Sequence, residues 1–228
     1  MKRTFILLSI LSLVLLAAAR SPRQAKPIVS ILGDSYSTFE GYIPQGNVTW
    51  YFDRSDTART DVDNVRQTWW WQLTDRGGFI LGKNESFSGA TVSNRGYRGA
   101  DFTDRSFITR LRRIPPSDII LIFGATNDSW AGVPILSKEN ADSALYFFRP
   151  AMTRLLTDAR NLHPGADIYF ILNTELRKDI NRAVVEVCRE QSVGCIVLHD
   201  IEKKSGHPSR AGMEAIATQV LDAINRPD

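Results

Sequence analysis

The sequence predicts an α/β protein built on a doubly wound parallel sheet, and three observations carry that prediction. Short apolar runs bounded by turn residues recur along the chain. Segments of helical period lie between them, and this strand–helix order favours parallel strands covered on both faces. The 228 residues suit one such domain. No internal repeat, low-complexity tract or domain boundary interrupts the pattern.

Residues 28–32 read as the first strand. "NVRQTWWWQLTDRGG" reads as a helix closed by Gly77 and Gly78, and "FILGKNES" as a weaker strand. Residues 119–123 form a clear apolar strand. "ALYFFRPAMTRLLTDARNLHPG" follows as helix, kinked or restarted at Pro150. "ADIYFILN" is a further strand, "DINRAVVEVCREQSVG" a helix stopped near Gly194, and "CIVLHD" the last strand. Met213, Ile216, Ala217, Val220, Leu221 and Ile224 share one face of a final helix. Residues 41–63 show no clear period and predict a long loop.

The first twenty residues read as a targeting segment. Lys2 and Arg3 precede an apolar run too short for a membrane span, and Ala17-Ala18-Ala19 fits a signal-peptidase site. The expectation is a signal peptide over 1–19, a single domain over 20–228, and a secreted or periplasmic protein without a stable membrane anchor. An uncleaved anchor is the alternative. A formal charge of +3 and the lack of a basic stripe argue against nucleic-acid binding. Cys188 and Cys195 fit either a disulfide or two buried thiols. No second Cys/His pair accompanies them, so no metal site is expected.

Function enters through the strand ends. "GDSYS" follows the first strand, "GATNDSW" follows residues 119–123, and "HDIEKKSGHPS" follows the last. In open α/β sheets ligands sit beyond the carboxyl ends of the strands. Parallel strands therefore bring Ser35, Asn127 and His207 to one edge. A serine needs a base to become a nucleophile, and histidine has the pKa for that task. A tetrahedral oxyanion needs fixed N–H donors, which Asn127 and Gly89 in "ESFSGATVSN" supply. His163, in a helix-to-strand turn, has no expected catalytic role, and His199 reads as core or as support for the site.

These segments together resemble the blocks of the SGNH, or GDSL, hydrolase superfamily: Ser35 in "GDSYS", Gly89 in "FSGAT", Asn127 in "ATND" and His207 in "GHPSRAGM". The resemblance spans essentially the whole mature chain. It implies a flavodoxin-like three-layer α/β/α sandwich with about five strands, ester hydrolysis and no cofactor. It also implies an oxyanion hole of Ser35 N–H, Gly89 N–H and the Asn127 side chain. Two positions depart from the family pattern. Ala125 stands where the G-x-N-D block opens with glycine. Lys204 stands where an aspartate often precedes the histidine by three residues, and a lysine side chain cannot accept the imidazole proton. Either a dyad with the Lys204 carbonyl as acceptor is expected, or a displaced acid, Glu202 or Asp200.

Trp130, Trp50 and Asp34 are the candidate substrate contacts, since aromatic faces stack on sugars or line acyl pockets. The favoured expectation is a secreted serine esterase acting on short acyl esters, with O-acetyl carbohydrate as the natural class. A lipase, lysophospholipase or thioesterase with the same machinery is the enzymatic alternative. A non-catalytic binding protein on a hydrolase scaffold is the alternative of another kind.

Overall fold

A computed structural model describes residues 25–53, 58–136 and 141–225. Five parallel strands form the central sheet: β1 (Ile28–Gly33), β2 (Ile80–Ser86), β3 (Ile119–Gly124), β4 (Asp167–Leu172) and β5 (Gly194–Val197). Their order is β2-β1-β3-β4-β5. The helices are α1 (Trp69–Gly77), α2 (Phe107–Leu111), α3 (Thr126–Trp130), α4 (Phe148–Leu162), α5 (Lys178–Glu190) and α6 (Arg210–Ile224). The expected targeting segment lies outside the described residues.

The unbroken apolar run of β3 has a simple cause: both faces of the sheet are covered. Ile120 and Ile122 pack into a core with Phe107, Phe148, Met152 and Val184, from α2, α4 and α5. Ile119, Leu121 and Phe123 point the other way, to Trp69, Trp70, Leu73, Met213 and Ile216 of α1 and α6. Three layers result.

Several boundaries differ from expectation. The tryptophan helix starts only at Trp69, because Asn64 caps a separate 3₁₀ turn at Val65–Gln67 and Thr68 caps α1. Trp69 and Trp70 are buried and Trp71 is half-buried. Pro150 lies in the first turn of α4, where a proline is tolerated, so the helix restarts rather than kinks. A two-stranded antiparallel ribbon, β6 (Lys203–Lys204) and β7 (His207–Pro208), follows the sheet. Its central residues, Ser205 and Gly206, have φ of 49° and 76°. Positive φ at both central positions matches a type I′ hairpin turn, whose twist suits paired strands.

Candidate active site

Strand register places the site. Gly33 pairs with Ser86 on one side and Phe123 on the other, so β1, β2 and β3 end together. Ser35 begins the 3₁₀ turn after β1, with Asp34 as its cap accepting from Tyr36 N at 3.0 Å. Gly33 is required by space: an added Cβ would lie 2.5 Å from Ser86 Oγ and 2.7 Å from Ser37 Cβ. The turn is pinned from below by Trp70 Nε1 and Asn84 Nδ2, which both donate to the Ser37 carbonyl, at 2.9 Å and 2.8 Å.

The sheet edge brings Ser35 and His207 into hydrogen-bond contact, Oγ to Nε2, at 2.9 Å. The second ring nitrogen, Nδ1, lies 3.2 Å from the Ser205 carbonyl. The main-chain acceptor is thus Ser205 rather than Lys204, because the I′ turn aims that carbonyl back at the ring. Neither carboxylate approaches the imidazole. Asp200 is 97% exposed and pairs with His199, while Glu202 accepts the Ser209 hydroxyl beside the start of α6. His207 is buried, and burial holds it down at about 4. Arg59 and Lys203 push the same way, and the bond to Ser205 opposes them.

Asn127 sits in α3, one residue into the helix after β3. Its Nδ2 donates to the Ala90 carbonyl at 3.0 Å and lies 3.5 Å from Asp34 Oδ2. The Tyr97 phenol donates to its Oδ1 at 2.7 Å. Gly89 has φ of 84°, the region that disfavours a side chain. The N–H groups of Ser35 and Gly89 meet no acceptor among the described residues. Ala125 has φ of 71°, which explains why glycine suits this position; alanine there costs about 1–2 kcal/mol.

Asp34 is fully buried, and burial raises its carboxyl to about 7. It therefore supports the turn beneath Ser35 rather than contacting substrate from the surface. Trp130 is half exposed, its ring centroid 5.9 Å from that of His207. Trp50 stacks on the imidazole itself, with centroids 3.5 Å apart and an interplanar angle of 9°. His163 and His199 lie outside the site. The two cysteines are free thiols, Cys188 buried and Cys195 half-buried.

The sequence alone did not point to several supports. Tyr36 and Tyr51 donate to the carbonyls of Gly206 and Pro208, at 2.6 Å and 2.9 Å, and so brace the loop that carries His207. Asp128 accepts from Val92 N, Ser93 N and Ser93 Oγ, which fixes the segment following Gly89. Arg110, wholly buried, donates to the carbonyls of Gly33 and Glu85 at the ends of β1 and β2. Asp128 alone had a signal, its place directly after Asn127.

A family model described as GDSL-like lipase/acylhydrolase matches residues 27–224. The chain belongs to this family. It is an ester-hydrolysing enzyme of the GDSL type. It is 47% identical to a protein from Bacteroides ovatus ATCC 8483 assigned by name as a GDSL-like lipase. That match has a TM-score of 0.84 and covers 90% of this chain and all of the other. A second, from Bacteroides uniformis ATCC 8492, is 45% identical with a TM-score of 0.84, covering 88% and 96%. A family two carbohydrate esterase from Clostridium thermocellum, solved with cellohexaose, shares the fold. It has 17% identity and a TM-score of 0.61, covering 90% of this chain and 65% of its own. No curated protein matches the chain.

Among the described residues, no helix is long and apolar enough to cross a membrane. No group of three or more His, Cys, Asp or Glu there has the arrangement of a metal site.

Proposed function

We propose that this GDSL enzyme is a secreted serine esterase that removes short acyl groups, acetyl foremost, from carbohydrate. The 2.9 Å contact between Ser35 Oγ and His207 Nε2 carries the reading. Ser35 attacks the ester carbonyl while its proton passes to Nε2. The Nδ1 proton stays on the imidazole, donated to the Ser205 carbonyl. Charge on the carbonyl oxygen is met by the N–H groups of Ser35 and Gly89 and by Asn127 Nδ2. The imidazolium then protonates the departing alcohol oxygen, leaving Ser35 acylated. Water attacks that acyl-enzyme with His207 again as base, releasing the acid and restoring the hydroxyl.

The carbohydrate part rests on Trp130. Its exposed indole lies beside His207, where a sugar ring bearing the ester would stack. A carbohydrate esterase that shares the fold was solved in complex with cellohexaose, which supports a glycan as the class of ligand. Secretion rests on the targeting segment in the sequence.

The test compares acetyl, butyryl and dodecanoyl esters of one alcohol, and acetylated against free xylo- and cello-oligosaccharides. Ser35→Ala is run in parallel, and the adduct of a fluorophosphonate probe is mapped by mass spectrometry. Acetyl preference with labelling at Ser35 is expected. A kcat/KM that rises with chain length would point to a lipase. Labelling at another serine would overturn the mechanism.

A further inference from the structure

Trp50 was expected to bind substrate, yet neither face of its indole is open. His207 covers one face, with ring centroids 3.5 Å apart. The guanidinium carbon of Arg59 lies 3.5 Å from the centroid of the same ring. Two groups that close to one ring centre must occupy opposite faces. The order is imidazole, indole, guanidinium, and a sugar has no face left to stack on.

Trp50 is also tied to the turn that holds Ser35. The Thr38 hydroxyl donates to the Ser35 carbonyl at 3.0 Å and accepts from Trp50 N at 2.9 Å. One side chain thus links the backbone of the serine turn to the residue lying against the imidazole.

His207 needs such support. Among the described residues its Nδ1 meets only a neutral carbonyl, at the long end of the N–H···O range. A charged carboxylate would hold that proton more strongly. Once the bond between Nε2 and Ser35 is broken in the reaction, the weak Nδ1 bond is a poor restraint against a swing about the Cβ–Cγ axis. The parallel indole prevents this, because any such swing drives ring atoms into the Trp50 plane.

We propose that Trp50, backed by Arg59, is a positioning residue that fixes the plane of the His207 imidazole in place of a triad carboxylate. This rests on the reading of Ser35 and His207 as the reacting pair.

The charges around the ring agree with it. Arg59 stands behind the indole with no ion-pair partner among the described residues. Lys203, held by Glu175 and Thr174, adds a second cation, and Lys204 faces His207 across the ribbon. The Tyr36 and Tyr51 phenols are engaged by carbonyls, Glu202 is taken by Ser209, and Asp34 lies buried below. Among the described residues no carboxylate contacts the ring to favour its charged form, so the base stays neutral well into acid.

The experiment measures kcat, KM and the pH profile of kcat/KM on a small acetyl ester for Trp50→Ala, Trp50→Phe and Arg59→Met. Melting temperatures accompany each variant. Trp50→Ala is expected to lose about 10- to 100-fold in kcat with little change in KM, the scale of a small misplacement of a reacting group. Trp50→Phe should recover part of that loss, since a smaller ring still blocks rotation. Arg59→Met should move the acid limb to higher pH, because a cation facing the base has gone.

Should Trp50→Ala fail to fold, Trp50→Phe and Arg59→Met decide between the outcomes. An unaltered kcat in the Trp50 variants, with a raised KM for oligosaccharides alone, would return Trp50 to substrate binding and overturn the proposal. An unmoved acid limb in Arg59→Met would overturn the part given to Arg59. If His207→Ala keeps full activity, the underlying pair is wrong, which is a separate failure.

Discussion

The Tyr97 phenol donates a 2.7 Å hydrogen bond to Oδ1 of Asn127, and this turns the amide so that Nδ2 points to the Ala90 carbonyl and Asp34 Oδ2. An amide held at its oxygen has its N–H groups preset, and oxyanion donors need that preorganisation. Tyr97→Phe is expected to lower kcat about 3- to 10-fold, the worth of one neutral hydrogen bond, with KM little altered. Steady-state kinetics on an acetyl ester check it; an unaltered kcat would leave the phenol a structural bond only.

Removing the donor itself should cost more. Asn127→Ala is expected to reduce kcat by about two to three orders of magnitude, the usual loss for one oxyanion donor. Because that donor acts on developing charge, substrate binding should change far less. A large rise in KM at constant kcat would instead mean that Asn127 holds ground-state substrate.

Burial holds His207 at about 4, and a base works only when deprotonated. Activity should therefore fall as pH drops through about 4, with kcat/KM flat from there toward neutrality. The acid limb of the kcat/KM profile is the measurement, since it reports the free enzyme. A limb near 6.5 would show an imidazole exposed to water.

Asp34 gives a stability prediction of opposite slope to the usual carboxylate. Burial raises it from 3.8 to about 7, so between those values the folded protein binds the extra proton. Stability then decreases as pH rises through this window, and the burden is complete above about 7. Asp34→Asn keeps an acceptor for Tyr36 N without the charge. It should raise Tm at pH 8 by about 2–4 °C per kcal/mol relieved, and by less at pH 5. Equal shifts at both pH values would show that charge is not the cause.

The sheet was legible because burial on both faces leaves an unbroken apolar signature, as in β3. Parallel strands oblige Ser35, Asn127 and His207 to share an edge. The β6–β7 ribbon was not legible: strands of two residues have no period to read. Its I′ turn is what makes Ser205, and not Lys204, the neighbour of Nδ1. The Trp50–His207 stack joins an aperiodic loop to the far end of the sequence, so no local pattern announces it. The donation from Tyr97 to Asn127 was hidden for the same reason, as a contact set only by the finished fold.

The tyrosine braces have a consequence for biosynthesis. Tyr36 and Tyr51 reach carbonyls 170 and 157 positions later, and Ser35 meets His207 across 172. A ribosome that has completed all five sheet strands has still not supplied the braced loop. On the mechanism proposed above, the nascent chain carries an inert serine until His207 and the ribbon around it have been made. Hydrolytic competence then arrives with the closing of these long loops, the step whose entropy makes non-local contacts slow to form.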